Sequence, residues 1–469
     1  MTLFENSKTF FGKRPILVTD RNESVNFSEL ESINLSIKNK VPKRSLVFAL
    51  NKSTPGALCG YYAFIKNEIV PLMLDAEMDY SLLKRILDIY DPDYIWLPSK
   101  QLENFAYDEL VYTAFDFSLI KTKSKTLSVL YKDLALLLTT SGSTGSPKLV
   151  KLTYENLRSN AQSIIDYLSI TNQERPITTL PFSYSFGLSI INSHILAGAT
   201  ILLTNHSIFE KQFWSLLNSK KATSLSGVPF TFEMLKKLRF FNMDTPFLKT
   251  ITQAGGKLND ELNLEFSKYC KKTNKRFFVM YGQTEATARM SYLPYQHSID
   301  KLGSIGIPIP GGEFSLINKD MQKVIKPNIE GELIYKGQNV SLGYASCIAD
   351  LKKGDENKGI LHTGDLAIRD VDGYYYIVGR KKRFVKLFGN RVNLDETERL
   401  IKVITPDCAC IGVNDKMIIY ITDKKFMQEI KQFIPYKTGI NSNAFELKCI
   451  DEIPKNSSGK TMYSKLLSL

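Results

Sequence analysis

Short apolar runs alternate along this chain with segments in which apolar residues recur at helical spacing. The runs at 46–50, 94–97 and 134–138 are almost wholly apolar, which is typical of strands buried on both faces of a sheet. Residues 81–90 and 209–220 instead repeat apolar side chains every three or four positions, as amphipathic helices do. This alternation predicts parallel sheets covered by helices, with ligands at the carboxyl ends of the strands.

The pattern changes beyond about residue 303. Short strands with glycine turns, near 331–335 and 374–378, indicate a compact β subdomain, and the last part of the chain reads as a small α/β unit. The predicted fold class is therefore α/β. We expect a large N-terminal domain over 1–381, with two βα-layered parallel-type sheets plus the small β subdomain, and a small α/β C-terminal domain over 382–469.

Composition adds few constraints. The 469 residues are 43% hydrophobic and 23% charged, which is ordinary for a soluble globular protein. No signal peptide is recognisable, polar residues interrupt the longest apolar stretch (188–204), and the six cysteines show no paired spacing. These features predict a cytoplasmic protein with reduced thiols and without a membrane span.

The net charge is 61 − 48 = +13 and is spread along the sequence. A basic surface could attract nucleic acid, anionic lipid or an acidic protein. No zinc-finger spacing, RNP-type strand or basic coiled coil accompanies it, so a lysine-rich, solvated surface is the favoured interpretation and no nucleic-acid partner is expected.

The segment from Leu134 to Leu157 carries the first chemical signal. An apolar run enters a loop of Thr, Ser and Gly that ends at Lys148, and a helix with Thr153 as its N-cap follows. Small residues let the backbone approach an anion closely, and their N–H and hydroxyl groups can donate to phosphate oxygens. The loop is not a Walker A sequence, because Pro147 precedes the lysine. On its own it is equally compatible with a flexible turn.

Four further motifs follow the loop motif TTSGSTGSPK (139–148) in a fixed order: QAGG (253–256), YGQTEA (281–286), HTGD (362–365) with GRKK (379–382), and SSGK (457–460). With this ordered set the chain resembles the adenylate-forming superfamily, which comprises acyl- and aryl-CoA synthetases, peptide-synthetase adenylation domains and luciferases. The resemblance implies that a carboxylate attacks the α-phosphate of ATP, giving an acyl-adenylate and pyrophosphate, and that a thiol then displaces AMP. It also implies that the C-terminal domain is mobile.

The resemblance assigns nucleotide contacts in the N-terminal part. The loop would hold the β- and γ-phosphates through Thr140, Ser141, Gly142, Ser143, Thr144, Gly145 and Lys148. Thr284 would contact the α-phosphate and Glu285 would bind Mg²⁺, which prefers carboxylate oxygen. Tyr281 would stack on adenine, with Gly282 beside it, while Gly255 and Gly256 would line the adenine slot.

The C-terminal part supplies the remaining roles that the resemblance implies. Asp365 would bind the ribose, and Arg380 would reach the same ribose or the phosphates. Lys382 stands at the family's interdomain hinge, and Arg391 matches an arginine that moves towards the nucleotide. Lys460 would bridge the substrate carboxylate and the α-phosphate, because two anions that must approach each other need a cation between them.

The substrate acid and the acceptor stay open. Amino-acid-activating relatives carry Asp where this chain has Ser185, and an unpaired buried ammonium is costly, so an α-amino acid is disfavoured. The thiol would belong to coenzyme A or to the phosphopantetheine of an acidic acyl carrier protein. The alternatives are an amino-acid-activating enzyme that loads a carrier protein and a non-catalytic nucleotide sensor. Pocket candidates, any of which could simply be core, are Tyr184, Phe186, Phe230, Gln253, Met280 and Gln283.

Overall fold

The computed structural model describes residues 3–4, 14–124, 129–139, 148–381, 383–387, 390–413, 416–438, 440–456 and 461–468, with the backbone alone at 384, 386, 390, 391 and 393. These residues form two compact units. The first comprises the described residues up to 139 together with 148–313 and 335–361, and the second comprises 314–334 and the described residues from 362 onward.

The strands of the described residues, in chain order, are β1 (Pro15–Thr19), β2 (Ser24–Asn26), β3 (Leu46–Asn51), β4 (Val70–Asp75), β5 (Tyr94–Pro98), β6 (Glu109–Ala114), β7 (Phe117–Lys121), β8 (Leu134–Thr139), β9 (Leu149–Thr153), β10 (Pro176–Ile177), β11 (Ile201–Leu203), β12 (Ser224–Gly227), β13 (Thr250–Gln253), β14 (Arg276–Tyr281), β15 (Ser291–Leu293), β16 (Ile307–Pro308), β17 (Gly312–Ile317), β18 (Gly331–Gly337), β19 (Gly343–Ala345), β20 (Ile360–Arg369), β21 (Tyr375–Arg380), β22 (Phe384–Leu387), β23 (Asn390–Asn393), β24 (Cys408–Val413), β25 (Lys416–Ile421) and β26 (Phe445–Cys449).

The α-helices of the same residues are α1 (Phe27–Lys40), α2 (Pro55–Lys66), α3 (Tyr80–Tyr90), α4 (Tyr154–Leu168), α5 (Ser185–Leu196), α6 (Lys211–Ser219), α7 (Pro229–Lys237), α8 (Asp260–Lys272), α9 (Leu394–Ile401), α10 (Met427–Thr438) and α11 (Tyr463–Leu466). Among the described residues, no helix combines the length and apolarity that crossing a bilayer requires.

An eight-stranded sheet in the first unit has the order β19-β9-β8-β4-β3-β5-β7-β6. Its central strands β8, β4, β3 and β5 run parallel, whereas the strands on either side are antiparallel. The central strands are almost entirely buried, because helices must cover both faces of a parallel sheet. The apolar runs of the sequence are therefore the centre of this sheet.

A second sheet of the first unit has nine strands in the order β16-β15-β14-β13-β12-β10-β11-β1-β2. The strands from β14 to β1 are parallel, and antiparallel strands stand at both edges. The predicted α/β class is thus confirmed, with two large sheets whose parallel centres carry antiparallel edges.

The sequence interpretation missed strand β9. The chain was expected to pass from β8 through the glycine-rich loop directly into helix α4, but β9 intervenes and pairs antiparallel with both β8 and β19. The reason for the omission is Lys151, a charged residue in the middle of a five-residue strand. The predicted N-cap is confirmed, since the Thr153 hydroxyl accepts a hydrogen bond from the Asn156 amide at 3.0 Å.

Lys151 is fully buried and holds a neighbouring segment in place. Its ammonium donates to the backbone oxygens of Asp350 and Lys353, at 3.3 and 3.2 Å, and to the Glu356 carboxylate at 3.1 Å. These three acceptors compensate the cost of removing a charge from water. The segment 350–356 is thereby fastened to β9.

The second unit contains a four-stranded sheet formed by residues of β17, β18, β20 and β21, the β22–β23 hairpin and the three-stranded sheet β24-β25-β26. Residues after 383 have a hydrophobic core of their own, which includes Val385, Ile401, Ile419 and Ile434.

Arg383 organises the polar interior of the second unit. Its guanidinium pairs with Asp395 at 2.9 Å and Glu398 at 2.7 Å, and the Tyr463 ring lies 3.7 Å from it. The Tyr463 hydroxyl also donates to Glu398 at 3.0 Å. The C-terminal helix α11 is therefore fixed against α9 by one shared cluster.

Candidate nucleotide site

The predicted YGQTEA motif forms a tight turn at the end of β14. Gly282 packs so closely that an added Cβ would lie 1.6 Å from the Ala288 carbonyl oxygen, so only glycine fits there. The buried amide of Asn339 donates to the carbonyls of Ala286 and Arg289, both at 2.8 Å. Since these bonds satisfy the backbone of the turn, the motif residues are held in a defined conformation.

Glu285 lies on the short 3₁₀ turn of this motif, and Tyr344 orients it. The Tyr344 hydroxyl donates to Glu285 Oε1 at 2.6 Å, and the Ser341 amide donates to the Glu285 carbonyl at 2.8 Å. Burial, together with the Glu285 carboxylate, raises the pKa of Tyr344, so the phenol is a neutral donor.

Lys148 is brought to the same end of the first unit by strand pairing. It immediately precedes β9, whose first residue Leu149 pairs with Ala345, and Tyr344 is the neighbouring residue on β19. Lys148 itself is exposed. The lysine that ends the glycine-rich loop and the carboxylate of the YGQTEA motif are thus linked through adjacent residues of one strand pair.

Thr284 contacts the start of helix α5. Its hydroxyl lies 3.1 Å from the Ser185 hydroxyl. Tyr281, at the end of β14, accepts a hydrogen bond from the Gln283 amide at 3.2 Å. Both side chains are partly exposed, as residues that contact a ligand need to be.

The predicted glycine pair follows strand β13, and Gly255 has a φ of +85°. A Cβ there would lie 2.7 Å from the Tyr184 hydroxyl and 3.0 Å from a Val228 methyl group, so a larger residue would clash with its neighbours. The buried Gln253 amide donates to the Gly256 carbonyl at 2.8 Å and fixes the turn. The backbone of the glycine pair therefore packs closely against Tyr184.

Asp365 and Arg380 meet in the second unit. They are register partners on β20 and β21, and Arg380 Nε lies 3.1 Å from Asp365 Oδ1. Asp365 is only 3% exposed, whereas the Arg380 side chain is largely exposed. The ion pair holds the Asp365 carboxylate, in the middle of β20, in a defined position.

Several predicted residues lie outside the described residues: Thr140, Ser141, Gly142, Ser143, Thr144, Gly145, Lys382 and Lys460. For Arg391 the backbone alone is described, in strand β23. Their assigned roles stay predictions. Within the described part of the chain, no group of three or more His, Cys, Asp or Glu side chains could hold a metal ion.

Sequence reasoning did not find Tyr344, Asn339 and Lys151. Tyr344 and Asn339 lie in turn-rich sequence 50 to 60 residues beyond the motif they support, and no local pattern links the two regions. Lys151 did carry a signal, because a lone lysine between apolar residues of a short run is unusual unless it is paired.

Comparison with known proteins identifies the family. The sequence model of the AMP-binding enzyme family matches residues 35–345 of this chain. The chain therefore belongs to the family of AMP-binding enzymes.

Curated relatives include enzymes of several activities. Luciferin 4-monooxygenase of Nipponoluciola cruciata is 30% identical over 356 residues, which are 72% of this chain and 64% of the luciferase. Oxalate–CoA ligase of Arabidopsis thaliana is 28% identical over 70% of this chain and 66% of the relative. 2-Succinylbenzoate–CoA ligase of Listeria innocua is 26% identical over 78% of this chain and 76% of the relative. The chain thus spans less than two thirds of the length of the luciferase and of the oxalate ligase.

The fold has solved counterparts. The o-succinylbenzoate CoA synthetase of Bacillus subtilis in complex with an acyl-adenylate intermediate superposes with a TM-score of 0.82 at 21% identity, covering 99% of this chain and 97% of that one. An ATP and magnesium complex of the same synthetase has a TM-score of 0.79, also at 21% identity, with 99% of each chain covered. At this identity the likeness establishes the fold.

Proposed function

We propose that this protein activates a carboxylic acid with ATP, releasing pyrophosphate, and transfers the acyl group from the acyl-adenylate to a thiol. The thiol belongs to coenzyme A or to an acyl carrier protein. The observation that carries the proposal is the arrangement around the YGQTEA turn, where Tyr344 orients Glu285 and Lys148 immediately precedes the strand that pairs with Tyr344. Membership of the AMP-binding enzyme family supports it.

The described residues fit Mg²⁺ with few protein ligands. Mg²⁺ that accompanies a nucleotide is held by one or two carboxylates and by phosphate oxygens, so a single oriented Glu285 suffices. The ion, when bound, would neutralise phosphate charge. Lys148 adds a second positive charge at this end of the unit, and Thr284 offers its hydroxyl to the α-phosphate.

We propose that Gly255 and Gly256 contact the adenine together with Tyr281 and Gly282. The close packing of Gly255 against the Tyr184 hydroxyl supports a requirement for glycine at this position, because a Cβ there would clash. We propose that the loop residues 140–145 bind the β- and γ-phosphates, which positions the leaving pyrophosphate.

In the second unit, we propose that Asp365 accepts hydrogen bonds from ribose hydroxyls and that Arg380 steadies this carboxylate. Lys382 would act as a hinge, Arg391 would approach the nucleotide, and Lys460 would accompany the reacting carboxylate. We further propose an adenylation domain over 1–381 and a mobile C-terminal domain over 382–469, which the separate hydrophobic core after residue 383 supports.

The test is carboxylate-dependent exchange of labelled pyrophosphate into ATP, measured over short, medium, long, aromatic and amino acids. We expect exchange with at least one acid, and AMP release that coenzyme A or a carrier protein accelerates. Lys460→Ala should abolish exchange and largely spare the reaction of supplied acyl-adenylate with thiol. Absence of exchange with every acid would refute the proposal and favour a nucleotide sensor.

Amino-acid activation is the nearest alternative. Ser185 stands where amino-acid-activating relatives carry Asp, and its hydroxyl contacts Thr284 instead of offering a carboxylate to an ammonium group. Exchange that amino acids stimulate, and that simple acids do not, would favour this alternative.

A further inference from the structure

The segment 338–342 lies between the YGQTEA turn on one side and strand β9 with helix α4 on the other, and we call it the linking segment. It belongs to the first unit, as do both of its neighbours. Residues 338, 340 and 342 form hydrogen bonds with α4 or β9, whereas residues 339 and 341 form hydrogen bonds with the turn. The linking segment therefore contacts both neighbours at once.

Asn339 is the residue of the linking segment that binds the turn most extensively. Its amide donates to the carbonyls of Ala286 and Arg289, both at 2.8 Å, and its own carbonyl accepts from the Thr287 hydroxyl at 2.7 Å. The Tyr335 hydroxyl donates to the side-chain oxygen of Asn339 at 2.8 Å. Asn339 is 3% exposed. Since both amide hydrogens and the side-chain oxygen are engaged, the orientation of this amide is fixed.

The turn that Asn339 holds has an unfavourable backbone conformation. Thr287 and Ala288 have φ angles of +56° and +94°, in the left-handed region that residues with a side chain disfavour. Such a conformation persists only where neighbouring groups fix it. The two carbonyls that accept from Asn339 lie on either side of this strained pair. Asn339 therefore stabilises the conformation of the turn that carries Thr284 and Glu285.

Asn156 attaches the linking segment to the first turn of helix α4. Its amide donates to the carbonyls of Gln338 and Val340, at 2.6 and 2.8 Å, which are the residues on either side of Asn339. Its side-chain oxygen accepts from the Thr153 amide at 2.9 Å. Asn156 is 5% exposed. It therefore fixes the backbone from which the Asn339 side chain extends.

Asn160, one helical turn after Asn156, binds the YGQTEA turn directly. Its amide donates at 2.9 Å to the Arg289 carbonyl, which also accepts from Asn339. Asn160 is 1% exposed. Helix α4 is thus joined to the turn by two routes, one through Asn160 alone and the other through Asn156 and the linking segment.

Resting on the acid-activating function proposed above, we propose that Asn339 and Asn156 are positioning residues for Thr284 and Glu285. Asn339 acts on the turn, and Asn156 acts through the linking segment. Neither amide contacts the nucleotide in this proposal, because both are buried and bonded within the protein. Groups that bind phosphate and Mg²⁺ are most effective when they are already arranged, since binding then carries no cost of reorganisation.

The test is pyrophosphate exchange as a function of Mg²⁺ at saturating acid, in Asn339→Ala and Asn156→Ala. The half-maximal Mg²⁺ concentration should rise about tenfold in Asn339→Ala, as for loss of a group that supports a metal ligand. In Asn156→Ala, which acts at one remove, it should rise about threefold. Asn160→Ala leaves the Arg289 carbonyl one of its two donors and is the milder variant for measurement if Asn339→Ala does not fold.

Asn67→Ala is the matched control. Asn67 is also a buried asparagine of the first unit whose amide donates to backbone carbonyls, those of Ala63 at 2.8 Å and Asn34 at 3.3 Å. These bonds join helices α1 and α2 and leave the YGQTEA turn untouched. We expect Asn67→Ala to lower the unfolding free energy as Asn156→Ala does, but to keep the Mg²⁺ dependence of the wild type.

The double variant tests whether the two residues act through one route. In Asn156→Ala combined with Asn339→Ala, the rise should be close to that of Asn339→Ala alone, because residues of one network are not additive. A rise equal to the product of the two single effects would contradict the action of Asn156 through Asn339.

Calorimetric titration with ATP, with and without Mg²⁺ and without any acid, gives a readout that does not require turnover. The gain in ATP affinity on adding Mg²⁺ should shrink in Asn339→Ala and persist in Asn67→Ala. If both site variants are destabilised but keep the wild-type Mg²⁺ dependence, the inference is overturned while acid activation stands. If no acid supports exchange, acid activation fails, and the titration alone decides whether these residues position a Mg²⁺–nucleotide site. A wild-type ATP affinity that Mg²⁺ leaves unchanged would also overturn the inference.

Discussion

The hydrogen bond from Tyr344 to Glu285 allows a quantitative test of the proposed metal ligand. Tyr344→Phe removes the hydroxyl and keeps the ring. A hydrogen bond to a charged group contributes about 1.5–3 kcal/mol, but Tyr344 is 45% exposed, so water replaces part of it. We therefore expect Tyr344→Phe to weaken the free energy of Mg²⁺ binding at Glu285 by about 1 kcal/mol, which corresponds to roughly a fivefold change in the binding constant.

The assay is pyrophosphate exchange as a function of Mg²⁺ at saturating acid. The half-maximal Mg²⁺ concentration should rise about fivefold in Tyr344→Phe, with little change in the unfolding free energy. Tyr107→Phe is the control, because Tyr107 is a partly exposed tyrosine on a different part of the first unit. A Tyr344→Phe variant with the Mg²⁺ dependence of the wild type would refute the assignment of Glu285.

Three further predictions concern buried or half-buried side chains. Lys151→Met should lower the free energy of unfolding, measured by chemical denaturation, by about 2–4 kcal/mol because three oxygens lose their donor. A loss under about 1 kcal/mol would contradict the role given to Lys151. Burial lowers the pKa of His194 from 6.5 to about 4, so folded stability should be lost as pH falls from about 6.5 towards 4, by up to ~3 kcal/mol. His194→Asn should flatten that part of the curve, and an unchanged curve would argue against a neutral buried histidine. Tyr463→Phe keeps the ring over Arg383 but loses the bond to Glu398, so the free energy of unfolding should fall by about 1 kcal/mol, and an unchanged value would contradict the role given to this bond.

The sequence predicted the sheet centres well because their pattern is local. A run such as 46–50 has no polar residue, and a strand buried on both faces is the simplest structure that accommodates it. Gly282 was named only as part of a motif. The reason that glycine is required there, the Ala288 carbonyl in the space of a Cβ, is visible in the structure alone.

What the sequence could not predict depends on contacts between distant residues. Tyr344 supports Glu285 across 59 positions, and the Arg289 carbonyl accepts from Asn160 and Asn339, which lie 129 and 50 positions away. Neither residue stands out locally: Tyr344 is the exposed middle residue of a three-residue strand, and Arg289 is a basic residue two positions before a strand. Their roles become visible when burial and partners are known.

Lys151 in strand β9 also determines which positions of the neighbouring segment can be substituted. Two of its three acceptors are backbone carbonyls, at positions 350 and 353, and every residue type supplies a carbonyl. The segment 350–356 can therefore change most of its side chains and keep its attachment, whereas position 151 cannot change without losing all three bonds. In comparisons with homologues or in redesign of this surface, Lys151 alone would determine the backbone path of segment 350–356, while most side chains of that segment vary.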